Sequence, residues 1–203
     1  MKELYVNGNR SIIEVNVSEA KSQKSKSGKH QIVLKDGETA VFFTDNKEGY
    51  GLATRIDKIS ANSPIIGARL FVDVTKGENG ILMANAFSFG RNIFTIKGNN
   101  EAAKDEYVFV GYPFKPKDWG ENNKNFSICM FVEEWDAVAK ARVTNRYELS
   151  FTRASENARK LLSEYKGLAA IHATNLKKTP GGKDKDGKEV VYYSAYADEV
   201  TLI

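Results

Sequence analysis

The chain has 203 residues, 41% apolar and 28% charged, with a formal net charge of +4 at pH 7. That apolar content can bury a core in one large domain or two small ones, and it excludes a chain disordered throughout. The positive excess is uneven: residues 1–100 carry 14 Lys/Arg against 10 Asp/Glu, and residues 101–203 carry 16 of each. Cys129 is the sole cysteine, so no disulfide forms within the chain and a reducing compartment is expected, with the thiol acting as a small hydrophobe. No apolar run approaches the roughly 18 residues of a membrane helix, and Met1-Lys2-Glu3-Leu4-Tyr5 carries no signal-peptide pattern. A soluble cytoplasmic protein with no membrane partner is the expectation.

Strand-like runs dominate. Arg10–Val17 is the first. The polar segment Lys21–Lys29 reads as an exposed basic loop, with Lys21, Lys24, Lys26 and Lys29 as candidate phosphate contacts. Residues 31–35 and 39–44 form a hairpin around Asp36-Gly37. Leu52, Ile56 and Ile59 are spaced as on a short amphipathic helix within 50–59. Residues 68–74 and 81–89 form a second hairpin, with Phe89 a candidate stacking residue. Residues 94–105 read as a linker, following a first domain over 1–93.

The second domain, 106–203, repeats the order. Strands are expected at 107–112, 125–132 and 142–153, then a helix over 155–166, a strand at 168–176, a hairpin tip at 177–188 and a last strand from 190. Strand, strand, strand, helix, strand, strand is the order of the OB-fold, a five-stranded barrel. The fold class expected is therefore all-β with short helices, as tandem five-stranded OB-fold barrels. One OB barrel with a long N-terminal elaboration is the alternative.

Catalytic chemistry is not legible. His30 and His172 have no metal-spaced partners, one cysteine makes no zinc site, and no phosphate loop is present. Pro180-Gly181-Gly182-Lys183 reads as a hairpin turn. Glu133, Glu134 and Asp136 read as a solvated acidic loop rather than a cation site. No enzyme activity, metal or cofactor is expected.

Single-strand binding needs aromatic faces for unpaired bases and cations for phosphates. Alternation along 142–153 puts Val143, Tyr147, Leu149 and Phe151 on one face, with Arg142 and Arg146 on the other. In the last strand Tyr193, Ala195 and Ala197 suit a barrel interior, which leaves Tyr192 and Tyr196 outside. Trp119 and Trp135 lie in segments read as loops. Lys177, Lys178, Lys183 and Lys185 add charge on the last hairpin.

The last fifty residues carry a family resemblance. Leu161-Leu162 followed by Tyr165-Lys166-Gly167, then Lys177-Lys178, Asp184-Lys185-Asp186-Gly187, and the Tyr-rich strand entering Ala197-Asp198-Glu199-Val200 resemble the bacterial and phage single-stranded-DNA-binding proteins. The resemblance implies sequence-independent binding and protection of single-stranded DNA in replication or recombination, in a bacterial cytoplasm if the gene is a phage's. Replication or recombination proteins are the implied partners. The family's acidic tail has no counterpart at Val200–Ile203, so recruitment through one is not expected. Two barrels in one chain can replace a subunit pair, so a dimer is compatible with the resemblance while the sequence leaves the oligomeric state open. An RNA-binding OB module and a structural or protein-interaction barrel, such as a phage assembly component, are the alternatives.

Overall fold

Period-two alternation of apolar and polar residues builds most of the chain. The computed structural model describes residues 1–46, 51–96, 105–121, 125–136, 140–152, 156–183, 185, 187 and 189–203. It forms two units, Met1–Gly90 and Arg91–Ile203.

The first unit comprises β1 (Lys2–Asn7), β2 (Arg10–Asn16), β3 (Glu19–Lys24), β4 (His30–Asp36), β5 (Thr39–Thr44), α1 (Leu52–Ser60), β6 (Arg69–Lys76) and β7 (Leu82–Ser88). The sheet order is β1-β2-β6-β7-β5-β4-β3. Strands β2 and β3 are halves of one bent strand. Val17 N donates to Ala68 O at 2.9 Å and Ser18 N to Lys35 O at 2.8 Å, so the chain changes partners within two residues. That switch, with β5 and β7 paired in parallel, is the OB-type barrel. Ile13, Val15, Leu34, Val41, Phe43, Leu70 and Val72 fill the interior with Ala53 and Ile56 of α1. Asp45 caps that helix from outside it, accepting from Thr54 N at 3.0 Å and from the Thr54 hydroxyl. Burial opposes ionisation of Asp45, but the Thr54 donors, together with nearby His30 and the Ala53 N–H, outweigh it and hold the carboxyl below its ordinary range.

The second unit comprises β8 (Asn92–Ile96), β9 (Glu106–Gly111), β10 (Pro113–Trp119), β11 (Asn125–Asp136), β12 (Ala141–Thr152), α2 (Glu156–Glu164), β13 (Ala169–Lys183) and β14 (Glu189–Leu202). Its order, β10-β11-β12-β14-β13-β9-β8, is that of the first unit strand for strand. β9 and β10 are again halves of one strand, β12 and β14 pair in parallel, and β8 flanks β9 as β1 flanks β2. Phe109, Ile128, Met130, Tyr147, Leu149, Ile171 and Ala195 pack the interior. The Tyr147 hydroxyl donates to Glu134, which also accepts from Asn145 Nδ2 at 2.7 Å. Burial, then the Glu134 carboxylate, pushes the Tyr147 phenol far above its usual range.

All-β tandem OB barrels with short helices are thus the architecture, and the expected strand and helix order holds in both halves. Several local readings need correction. Residues 21–24 of the expected basic loop are strand, part of β3, because Ala20 packs on the core and β4 supplies a ladder for the whole strand. Residues 113–119 and 133–136, expected as loops, are strand as well. Gly181 and Gly182 lie inside β13 rather than at a turn, and the two strands of the last hairpin run on to Lys183 and from Glu189, beyond the expected start of the tip at 177. The expected linker 94–105 begins inside β8, and 97–104 lie outside the described residues. Among the described residues, no helix is long and apolar enough to cross a membrane.

Candidate nucleic-acid interface

Strand alternation fixes what the second barrel presents outward. Inside β12, Tyr147, Leu149 and Phe151 are buried, so Arg142, Thr144, Arg146 and Glu148 face out. On β14, Tyr193, Ala195 and Ala197 point in or are buried, leaving Tyr192 61% and Tyr196 45% exposed. The same logic on β11 buries Ile128, Met130 and Val132 and turns Cys129 and Phe131 outward, with Phe131 41% exposed.

Register assembles these side chains into rows. Phe114, Cys129, Glu148, Ser194 and Lys177 lie opposite one another in turn across β10, β11, β12, β14 and β13. Phe131 pairs with Arg146 in the row on one side, and Ser127, Ser150 and Tyr196 form the row on the other. Tyr192 and Tyr196 stand roughly 13 Å apart along β14, at about 3.3 Å per residue. Phe114 and Phe131 stack at 4.6 Å with 19° between planes. Arg146 is held flat on the face, its Nε and Nη2 donating to Cys129 Sγ at 3.2 and 3.0 Å. Cys129 is therefore buried beneath a guanidinium rather than in the barrel core. Glu148 is the exposed carboxylate among these rows, and Glu133 is engaged by Arg91 at 2.9 Å.

Of the expected contacts, Arg142, Arg146, Tyr192 and Tyr196 share this face, and Trp119, 37% exposed, stands at the end of β10 on the same side as Phe114. Lys177 lies opposite Ser194, and Lys178 sits over the Tyr193 ring at 5.8 Å from its centroid. Lys183 stands opposite Glu189 in the strand register and Lys185 is exposed in the turn. Trp135 lies on β11 opposite Arg142, and its side chain lies outside the described part of the molecule.

The remaining candidates belong to the first barrel and are described within it. Lys21 and Lys24 are on β3, while Lys26 and Lys29 flank a turn closed by Ser25 N to Lys29 O at 2.8 Å. Phe89 follows β7 and packs edge-on against the core residue Phe87. The sequence reading missed Phe114 and Phe131. Residues 125–132 contain Phe126 and Phe131 on opposite faces, and counting alternation from buried Ile128 identifies Phe131 as the outward one. Phe114 had no such signal, because β10 carries a bulge between Phe114 and Lys117, with Lys115 at φ 50°.

Among the described residues, no group of three His, Cys, Asp or Glu is placed to hold a metal ion. No protein-family model and no curated protein sequence matches the chain. Several solved structures do. One is the mitochondrial single-stranded DNA binding protein Rim1 of S. cerevisiae, 15% identical, covering 50% of this chain and 96% of its own, with TM-score 0.32. Another is the wild-type single-stranded DNA binding protein of Thermus aquaticus, 10% identical, covering 100% of this chain and 94% of its own, with TM-score 0.31. A deletion mutant of the Thermus protein aligns similarly, at 12% identity and TM-score 0.31.

Proposed function

We propose that this chain binds single-stranded DNA without sequence choice, on the outward face of its second barrel, and covers unpaired DNA during replication or recombination. One observation carries the reading: exposed Tyr192, Tyr196 and Phe131 share a continuous sheet face with Arg142, Arg146 and Lys177. OB barrels bind oligonucleotides on the face of their second and third strands, here β11 and β12, and with the loops beside it. Aromatic rings stack on any base, which makes the binding tolerant of sequence, and the cations meet phosphates. Nothing in this arrangement requires a reacting group, so we read the chain as a binding protein rather than an enzyme.

The test is a titration of the full chain with oligo-dT, the matching duplex and oligo-U at two salt concentrations. Binding of the single strand, weakened by salt, with the duplex excluded, is the expected result. Preference for oligo-U would reassign the partner to RNA. No binding by gel shift at low salt would remove the reading in favour of a protein-interaction barrel.

A further inference from the structure

The last hairpin outgrows its barrel. β14 pairs with β12 only over Tyr193–Ala197, and β13 pairs with β9 only over Ala169–Thr174. Beyond those limits, among the described residues, Lys178–Lys183 and Glu189–Tyr192 pair with each other alone, as a two-stranded ribbon. A bulge between Thr174 and Lys177, with Asn175 at φ 54°, marks where β13 leaves the barrel. Tyr196 therefore stands on the barrel wall, while Tyr192 stands at the root of the ribbon. A lone ribbon is marginal and its exposed side chains are free to turn. An exposed tyrosine there would lose rotamer freedom on stacking with a base, unless something already holds it.

Gly181 is placed to do this. Thr179 lies directly opposite Tyr192, and the ladder then bulges between Pro180 and Lys183, which leaves Gly181 beside the Tyr192 ring without a register partner of its own. A Cβ built at 181 would fall 2.2 Å from Tyr192 Cε2, 2.7 Å from Cδ2 and 3.1 Å from Cζ. The ring thus occupies the space a side chain at 181 would fill. The backbone of Gly181 lies outside the left-handed region, unlike that of Gly182 at φ 83°. Its lack of a side chain matters for the ring above it and not for its own conformation.

We infer that Gly181 is a positioning residue for single-strand binding: it seats the Tyr192 ring flat on the ribbon, one face against the glycine backbone and the other presented to a base. This rests on the stacking reading given above. A methyl at 181 displaces an exposed ring that can swing into water, so the loss falls on affinity rather than on folding. Preorganised groups bind more tightly because less ordering remains to be done.

The experiment is a double-mutant cycle on the full chain, with fluorescein-labelled oligo-dT anisotropy and thermal unfolding as readouts. Gly181→Ala is expected to weaken binding about three- to tenfold, part of what one stacked base contributes, with the unfolding midpoint unmoved. In the Tyr192→Ala background the same change is expected to cost nothing, because no ring remains to displace. Equal losses in both backgrounds, or no loss in either, overturn the inference. The Gly181 Hα resonances, shifted upfield by the ring and released in Tyr192→Ala, report the seat without any DNA. Wild-type chain that shows this shift but binds no single strand sinks the stacking reading and the role of Gly181 in it, while the seat itself stands. Absence of the shift in a chain that binds removes Gly181 alone.

Discussion

The two barrels run their strands in one order and treat the equivalent face in opposite ways. In the first, β4 and β5 are 7 and 6 residues long, and their outward polar groups satisfy each other. Gln23 Nε2 donates to Gln31 Oε1 at 2.9 Å, Gln31 Nε2 donates to Thr44 Oγ1 at 2.8 Å, and Lys35 pairs with Glu19 at 2.9 Å. Phe42, half-buried between Val33 and Met83, is the aromatic of that face. In the second, β11 and β12 are 12 residues each and β13 and β14 are 15 and 14. The added length is where Phe131, Arg142, Arg146, Tyr192 and the ribbon lysines stand. A closed barrel needs only the short strands, so residues beyond closure are free to serve a ligand. Topology alone therefore does not locate a binding face; the proposed one rests on surplus strand and the exposed aromatic and cationic side chains it carries.

The largest effect expected from this contrast concerns aromatic truncation. Tyr192→Ala with Tyr196→Ala removes two stacking rings and should weaken oligo-dT binding by about 2–6 kcal/mol, at least about thirtyfold. Phe42→Ala, on the matching face of the first barrel, should change affinity by no more than about threefold, since a half-buried ring offers little face to a base. Anisotropy titrations on both variants measure this directly. The reverse ranking would mean that the first barrel carries the site.

Much of the barrel order was legible because interior positions are spaced by two and by little else. Leu149, Tyr147 and Phe151 alternate with Arg146, Glu148 and Ser150, and the same counting separated Tyr192 and Tyr196 from Tyr193 and Ala195. Strand ends were not legible. Lys21, Ser22 and Lys24 look like loop because their side chains are polar, yet hydrogen bonding to β4 asks only for their backbone. The ribbon hid for the same reason: a two-stranded extension in water has no buried face to imprint a pattern, and Pro180-Gly181-Gly182 resembles a turn. The stacked Phe114–Phe131 pair depends on a bulge, and a one-residue insertion breaks the period from which facing is counted.

The barrels should also answer pH from opposite sides. Asp45 in the first is held below its unfolded value, so its contribution is complete above about pH 4 and is lost as pH falls through the folded value. Tyr147 in the second is held above its unfolded value, so its contribution is complete below about pH 10 and is lost as pH rises. Asp45→Asn should cost about 1–2 kcal/mol at neutral pH, as loss of a helix cap does, and flatten the acid limb of stability. Tyr147→Phe should cost about 1 kcal/mol, as loss of one hydrogen bond does, and flatten the alkaline limb. Denaturant unfolding from pH 3 to pH 11 measures both. Either variant acting on the opposite limb breaks the assignment.

The smallest expected effect separates the two lysine clusters. Each phosphate neutralised on a single strand contributes about 0.7 to the slope of log affinity against log salt. Lys21, Lys24, Lys26 and Lys29 line β3 and its turn, beside a face whose polar groups are already paired. Changing all four to Gln should leave that slope within about 0.5 of wild type, less than one phosphate's share. Arg142→Gln with Lys177→Gln, on the aromatic face, should lower it by about 1.4, because two phosphates then go without a cation. Affinity shifts alone would not decide between them, because any cation raises long-range attraction, whereas the slope counts the counterions released where DNA and protein touch. A slope that drops with the β3 lysines would show the strand running onto the first barrel as well, and the division of labour between the two would then be one of base stacking against phosphate capture.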